Sequence, residues 1–289
     1  MLHGNPLAAA ALAAALLMTP PAGAQTRDTK QYPDWKGQWR VVNVPTGLGF
    51  PSIQYDPRKP GGPRQEAPLT PEYQAIFEAN MADQRLGSQR GDPTYNCLSP
   101  GMPRVMTAGI EVVVTPETTY VVALTAAGTF NRWIYTDGRD FPPNMTDNPQ
   151  FQGYSIGKWL DEDGDGAYDT LLIETRGLAG PRAFDASGIP LHEDNQTVVM
   201  ERIYLDKTNK DMLHDEITTI DNALTHPWTV IKDWRRAPAR QWWSEIACNQ
   251  NNVHVTIGSE IYFLSGDGHL MPYRKDQPPP DLRYFNVRK

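Results

Sequence analysis

Short stretches in which apolar and polar residues alternate fill the chain from residue 109 to residue 236, and they constrain its fold more than any other feature. Side chains on a β-strand point alternately to two faces, so this period indicates strands. Turn residues separate the stretches and leave no room for crossover helices. The pattern therefore predicts an all-β, mainly antiparallel fold, a lipocalin-like or related β-barrel or sandwich. The stretches are EVVVTPETTYVVAL (111–124), TFNRWIYTD (129–137), YSIGKW (154–159), YDTLLIETRG (168–177), TVVMERIYLD (197–206), MLHDEITTID (212–221) and TVIKDWRR (229–236).

The first 24 residues have the composition of a secretory signal peptide. Residues 7–18 form a short apolar run, and Ala22-Gly23-Ala24 is a small-residue cleavage site before Gln25. The run is too short to span a bilayer as a stable helix. We therefore expect a periplasmic or secreted protein without a transmembrane segment.

The rest of the chain is predicted to form a central domain with an extended arm at each end. Residues 25–96 are rich in Pro, Gly and charge and contain one helix, which Thr70 would cap and which would end at Gly87. The β-barrel or sandwich domain is predicted to span 97–270, followed by a C-terminal extended arm, 271–289.

Charge and cysteine content restrict the partners and the compartment. The net charge of −7 argues against binding to the phosphate backbone of nucleic acids. The pattern makes no prediction of oligomeric state. In an oxidising compartment the two cysteines, Cys97 and Cys248, are most simply a disulfide that closes a loop of about 150 residues. Such a crosslink would contribute roughly 5 kcal/mol of stability.

Four charged residues share a strand face with apolar neighbours: Arg132, Glu174, Glu201 and Glu216. Because an unpaired buried charge costs several kcal/mol, two arrangements fit. In one, the four line a barrel lumen and meet a ligand or water there. In the other, they lie in solvent and the aromatic residues of the opposite faces are buried. His214 shares a face with Glu216 and could act as a general base.

The segment GKWLDEDGDGAYDTL (157–171) places Asp161, Asp163, Asp165 and Asp169 at the spacing of a calcium loop. The position of the bidentate Glu is taken by Leu172, and the flanking helices of an EF-hand are missing. A structural calcium ion and an ordinary solvated hairpin turn both fit, because Asp-Gly pairs favour such turns. No other cofactor is predicted.

The segment YTDGR (135–139) also has two interpretations. Asp137-Gly138 could be a hairpin connection with Arg139 in solvent, or Tyr135, Asp137 and Arg139 could bind an oxygen-bearing substrate at the barrel mouth. Trp159, in the neighbouring GYSIGKW segment, and the loop residue His192 complete the candidate substrate-binding set. The G-x-S-x-G in that segment lacks the following helix that a hydrolase elbow requires.

Several of these segments resemble a large family of exported bacterial proteins whose activity is not established. The resemblance extends from about Cys97 to Asn252. In that family an R-I-Y-x-D-G-R segment is followed by G-x-S-x-G-x-W, an acidic D-T-L strand and E-R. The segments that carry it here are RWIYTDGRDFPP (132–143), GYSIGKW (153–159), DTLLIETRG (169–177) and ERIYLD (201–206). The family passes from the tryptophan to D-T-L within a few residues, so the acidic segment is an insertion here.

The sequence supports a small-molecule barrel and leaves its activity open. In one hypothesis the lumen binds a small, partly apolar molecule, Arg132 orients an oxygen atom, and Glu174, Glu201, Glu216 and His214 supply acid–base chemistry of the lyase, isomerase or hydrolase type. In a second, the protein is a non-catalytic carrier with the same lumen. In a third, it is a structural envelope protein.

Overall fold

The structure, a computed structural model, describes residues 31–42, 67–85, 91–125, 128–185, 187–238, 253–257, 260–264 and 269–280. Nine strands form a closed barrel in sequence order. They are β1 (Gly37–Val41), β2 (Gly109–Val114), β3 (Thr118–Thr125), β4 (Gly128–Tyr135), β5 (Tyr154–Leu160), β6 (Thr170–Arg176), β7 (Val198–Leu205), β8 (Met212–Ile220) and β9 (Trp228–Arg236). A separate three-stranded sheet contains β10 (Val253–Ile257), β11 (Glu260–Leu264) and β12 (Leu270–Pro272). The predicted all-β class is confirmed.

The barrel closes through β1, which pairs with β2 on one side and β9 on the other. This strand lies in the segment 25–96, for which the sequence predicts an extended arm with one helix. Trp39 of this strand is fully buried in the core, and Val41, on the same face, packs against that core. Closure leaves this sheet without a free edge.

One strand pair is parallel, whereas every other neighbouring pair of the barrel is antiparallel. β4 pairs with β5 in the same direction, through Ile134 with Ser155 and Tyr135 with Ile156. A parallel pair needs a long connection, and residues 136–153 supply it. The hairpin interpretation of Asp137-Gly138 is therefore wrong. The turn exists, with Gly138 at φ +84°, but it begins this long connection.

Helix α1 (Pro71–Arg85) begins where the sequence predicted. The Thr70 hydroxyl accepts a hydrogen bond from the backbone N–H of Tyr73, at 3.5 Å, and Pro71 occupies the first helical position. Phe77 packs against a second, smaller buried apolar cluster, which contains Phe184 and Trp228. None of the described helices is long and apolar enough to cross a membrane.

Apolar side chains fill one end of the barrel interior. The larger buried cluster includes Trp35, Trp39, Ile110, Leu171 and Trp234, and the cavity left among its side chains measures about 10 Å³. A cavity of that size holds a single water molecule at most. This part of the barrel is therefore a packed core, without room for a ligand among these side chains.

Candidate functional site

The four charged residues predicted to share a face do not lie on one side of the barrel wall. Arg132 and Glu201 are buried inside, whereas Glu174 and Glu216 are on the outer surface and only partly buried. Neither predicted arrangement holds for all four. His214 is also on the outer face of β8, because the buried residues of that strand are Leu213, Asp215, Ile217 and Thr219.

Arg132 and Glu201 form an ion pair across the barrel interior. The Arg132 Nη1 atom donates to Glu201 Oε1 at 2.8 Å, and its Nη2 atom contacts the second carboxylate oxygen. Two hydroxyls on the intervening strands complete the network: Arg132 Nε donates to Ser155 Oγ at 3.2 Å and Nη2 to Thr175 Oγ1 at 2.9 Å. A guanidinium so fully occupied is typical of a structural network rather than a site open to substrate.

A second buried pair, Asp215 and Lys232, was not predicted. The two residues face each other on β8 and β9, yet neither side-chain amine nor carboxylate has a hydrogen-bond partner in the described part of the chain. The Lys232 amine lies 4.8 Å from the ring centroid of Phe184. Lys232 stands on the same strand face as Val230 and Trp234, so alternation in TVIKDWRR could have placed it inside.

Burial shifts the pKa values of Lys232 and Asp215 in opposite directions. It lowers the pKa of Lys232 to about 8, although Asp185 and Asp215 partly offset the effect. It raises the pKa of Asp215 well above its ordinary value, and the negative charge of Glu201 raises it further. Both shifts favour the uncharged forms.

A cleft of about 560 Å³ lies at one end of the barrel, and we call it the mouth cleft. The acidic loop 161–169 forms one wall, and the turn between β7 and β8 forms another. Two tyrosines, Tyr168 and Tyr204, supply its aromatic surface. Its cationic lining residues are Arg202, Lys207, Lys210 and Arg236, and its acidic ones are Asp34, Glu162, Asp163, Asp165, Asp169 and Asp211.

Hydrogen bonds link the mouth cleft to Glu216 on the outer surface of the barrel. The Tyr204 hydroxyl donates to Glu216 Oε1 at 3.0 Å. Arg202 stacks over the Tyr204 ring at 4.2 Å and pairs with Glu162 of the acidic loop. Burial of Tyr204, together with its bond to Glu216, raises the pKa of the Tyr204 phenol, which therefore stays protonated at neutral pH.

His214 stands beside this group and is held at both ring nitrogens. Its Nδ1 lies 2.7 Å from Asp233 Oδ1, and its Nε2 lies 3.2 Å from Asp206 Oδ2. The Tyr204 and His214 ring centroids are 5.2 Å apart. Hydrogen bonds from Thr208 and Asn209 hold the pKa of Asp206 well below its ordinary range, so a carboxylate faces the imidazole. His214 is therefore fixed in orientation by two acids.

The acidic loop connects the antiparallel strands β5 and β6 and so lies at a hairpin tip, as predicted. Ligand atoms of Asp161, Asp163 and Asp169 lie within 4.8 Å of one another. Asp165 is not part of this group, and its Oδ1 accepts from the Ala167 N–H at 2.8 Å. The Asp161 carboxylate accepts from three backbone N–H groups, those of Gly164, Asp165 and Gly166. Carboxylate oxygens are ligands that suit calcium, and binding of the ion stays a prediction.

The candidate substrate-binding residues lie in three separate places. Trp159 is buried and packs on Trp35, with ring centroids 4.9 Å apart, so it belongs to the core. His192 stacks on Tyr73 of α1 at 5.6 Å, away from the mouth cleft. Tyr135, Asp137 and Arg139 do come together on the outer surface, where the Arg139 guanidinium lies 3.9 Å from the Tyr135 ring centroid.

Comparisons with known proteins add no family assignment. No protein-family model matches the chain, and no curated protein matches it. The resemblance to the exported bacterial family therefore stays a prediction. Of the predicted disulfide, Cys97 is described and Cys248 lies outside the described residues, as do the signal peptide and most of the N-terminal arm.

Proposed function

We propose that the protein is an exported small-molecule-binding barrel and that its ligand site is the mouth cleft. The volume of that cleft carries the proposal, because about 560 Å³ lies within the range of roughly 300–1,000 Å³ that ligand sites occupy. The packed barrel interior offers no comparable space among its described apolar residues. The mouth cleft thus replaces the lumen as the place where a ligand binds.

Two tyrosines and two lysines of the lining suit a partly apolar molecule with an anionic or carbonyl oxygen, which would bind on the lysine side, away from most of the six acidic side chains. The rings of Tyr168 and Tyr204 offer apolar surface. Lys207 and Lys210 lie on the turn between β7 and β8, and among the described contacts neither ammonium group has an ion-pair partner. An unpaired ammonium at the rim can bind a ligand oxygen without first losing an internal partner.

Isothermal titration calorimetry with a panel of aromatic carboxylates, such as benzoate and 4-hydroxybenzoate, tests this site. We expect Tyr204→Ala and the double variant Lys207→Ala/Lys210→Ala each to weaken binding about tenfold, since each removes roughly one good contact. Lys158→Ala is the matched control, because Lys158 is exposed on β5 and does not line the cleft. Equal binding by all variants would refute the assignment of the cleft.

A second candidate function, acid–base catalysis in the same cleft, rests on the bond between Tyr204 and Glu216. In this scheme the Tyr204 hydroxyl takes a proton from the ligand as it passes its own proton to the Glu216 carboxylate, so the phenol stays neutral and the proton ends on Glu216. Once a ligand is found, Glu216→Gln should bind it normally and stop its turnover. A ligand recovered unchanged from the wild-type protein would leave the carrier function in place.

A further inference from the structure

Aromatic side chains, two of them exposed and three half-buried, form a row on the outer surface of the barrel, and none of them lines the mouth cleft. Tyr120 on β3 faces Trp133 on β4 in the strand ladder, and their side chains point to solvent. Trp133 is 57% exposed and Tyr120 38% exposed. Trp133 is thus among the most exposed large apolar residues described, and its exposure calls for an explanation.

The row continues across β4 to β5 and the connection between them. Tyr135 lies two residues after Trp133 on the same face of β4 and contacts Tyr154 of β5, with ring centroids 5.0 Å apart. Phe141, in the connection, lies 6.1 Å from Tyr154. We call these five residues, Tyr120, Trp133, Tyr135, Phe141 and Tyr154, the aromatic strip. The aromatic strip lies beside the first residues of β5, whereas the acidic loop follows the last residue of that strand.

Planar charged groups lie along the aromatic strip, and each is already paired. Arg139 stacks on Tyr135, and its Nε atom lies 2.9 Å and 3.0 Å from the two Asp137 carboxylate oxygens. Arg176 lies 5.3 Å from the Phe141 ring centroid and pairs with Glu174. Both ion pairs are exposed, so they keep N–H groups and oxygen lone pairs available for a further partner.

The pairing decides which ligand chemistry fits. An anionic ligand would have to displace Asp137 or Glu174 from its arginine. A lipid surface would have to desolvate both ion pairs, at a cost of several kcal/mol. A neutral polyhydroxylated ring meets neither obstacle: its C–H face can pack on an aromatic ring, and its hydroxyls can bond at once to the N–H donors and carboxylate acceptors beside it.

We propose that the aromatic strip is a binding site for neutral carbohydrate chains. Trp133 is the exposed platform for one sugar ring, and the edges of the Tyr135 and Tyr154 rings, whose faces pack on each other and under Arg139, flank the next ring. Asp137 and Arg139 bond to the hydroxyls at the edge of that second ring. The strip crosses three adjacent strands in one direction, which suits a linear oligosaccharide better than a single monosaccharide.

Affinity electrophoresis and isothermal titration calorimetry of the mature protein test this site. The probes are neutral hexasaccharides of β-1,4-glucose, β-1,3-glucose and α-1,4-glucose, with oligogalacturonate as the anionic comparison. We expect binding to at least one neutral chain, with a weakening of about tenfold in Trp133→Ala and in Arg139→Gln. Met200→Ala is the control, since Met200 is 47% exposed on β7, outside the aromatic strip, and should bind as the wild type does.

Three results would overturn the proposal. The first is no binding to any neutral chain, and the second is binding that Trp133→Ala leaves unchanged. The third is a wild-type dimer that Trp133→Ala converts to a monomer in light scattering, because the strip would then be a subunit interface. Lys207→Ala/Lys210→Ala should bind sugar normally, so failure of the mouth cleft assignment and failure of this one are separate outcomes.

Discussion

Glu201 and Glu174 lie on adjacent strands, one inside the barrel and one outside. Glu201 pairs with Arg132 in the interior, whereas Glu174 pairs with Arg176 at the surface. Removing one partner of a buried pair leaves an uncompensated charge, which costs about 3–5 kcal/mol, whereas exposed pairs contribute about 0–1 kcal/mol. We expect Glu201→Gln to lower the free energy of unfolding by an amount in the first range and Glu174→Gln by one in the second.

Urea denaturation of both variants at pH 7, followed by circular dichroism, measures the difference. The two substitutions change the same chemical group on adjacent strands, so each serves as the control for the other. Similar losses in the two variants would contradict the view that Arg132 and Glu201 form an isolated interior network.

Lys232 should make stability depend on pH in the alkaline range. Its folded pKa is about 8, below the ordinary value of 10.5, so between these values the unfolded chain binds more protons than the folded one. Stability therefore rises with pH across this window, by up to about 3 kcal/mol from this group. In Lys232→Met this component of the rise should be absent.

Denaturation curves at pH 8 and pH 10 for the wild type, Lys232→Met and Lys158→Met give the comparison. Lys158→Met removes an exposed lysine on β5 and is the control for the loss of one positive charge. An identical pH dependence in the wild type and Lys232→Met would show that burial does not lower the pKa of Lys232.

Four buried charges lie on the inward faces of the barrel strands, Arg132, Glu201, Asp215 and Lys232, and the sequence singled out the first two without deciding whether they lie inside. Arg132 and Glu201 were readable because their neighbours on the same face, Ile134 and Ile203, are clearly apolar. Both faces of MLHDEITTID mix apolar and polar residues, so alternation could not tell which face is inside. The face of β8 that points inward is determined by the register of its pairing with β7 and β9, and the local sequence of β8 does not encode that register.

At the level of structural elements, the acidic loop allows a prediction that distinguishes two nearby carboxylates. Asp163 belongs to the group of three close carboxylates and Asp165 does not. If calcium binds there, Asp163→Asn should weaken its binding about tenfold or more, because one of three charged ligands is lost. Asp165→Asn is the matched control and should retain the affinity.

Calorimetric titration of the EDTA-treated protein with calcium chloride measures these affinities. No heat of binding in the wild type would identify the loop as a solvated turn. Weaker calcium binding by Asp165→Asn than by Asp163→Asn would contradict the group of Asp161, Asp163 and Asp169 as the ligands.

The strands themselves were well predicted, because each carries its own two-residue period and its own turn signals. The parallel pairing of β4 and β5 was not, since Asp137-Gly138 is a strong local hairpin signal that the long connection overrides. β1 was also missed, because GQWRV is too short for its period to stand out from its Pro- and Gly-rich surroundings.

For the whole molecule, export and the crosslink can be tested together. We expect the protein recovered from the periplasm to begin at Gln25 and to lack the two thiol hydrogens of Cys97 and Cys248. The intact mass of the protein, measured with and without reductant, reports both the N-terminal residue and the disulfide. Retention of residues 1–24, or a mass that reduction leaves unchanged, would contradict one prediction or the other.

The parallel pairing of β4 with β5 also has a mechanical consequence for the closed barrel. Two residue pairs join these strands, whereas seven join β5 with β6. A closed barrel under mechanical load should open first between the two strands that the fewest residue pairs join. Here these strands are β4 and β5, and the opening lies beside Tyr135 and Tyr154. Amide protons that bond across the β4–β5 pair should therefore exchange with deuterium before those that bond across the β5–β6 ladder, and a pulling force should separate the barrel there first.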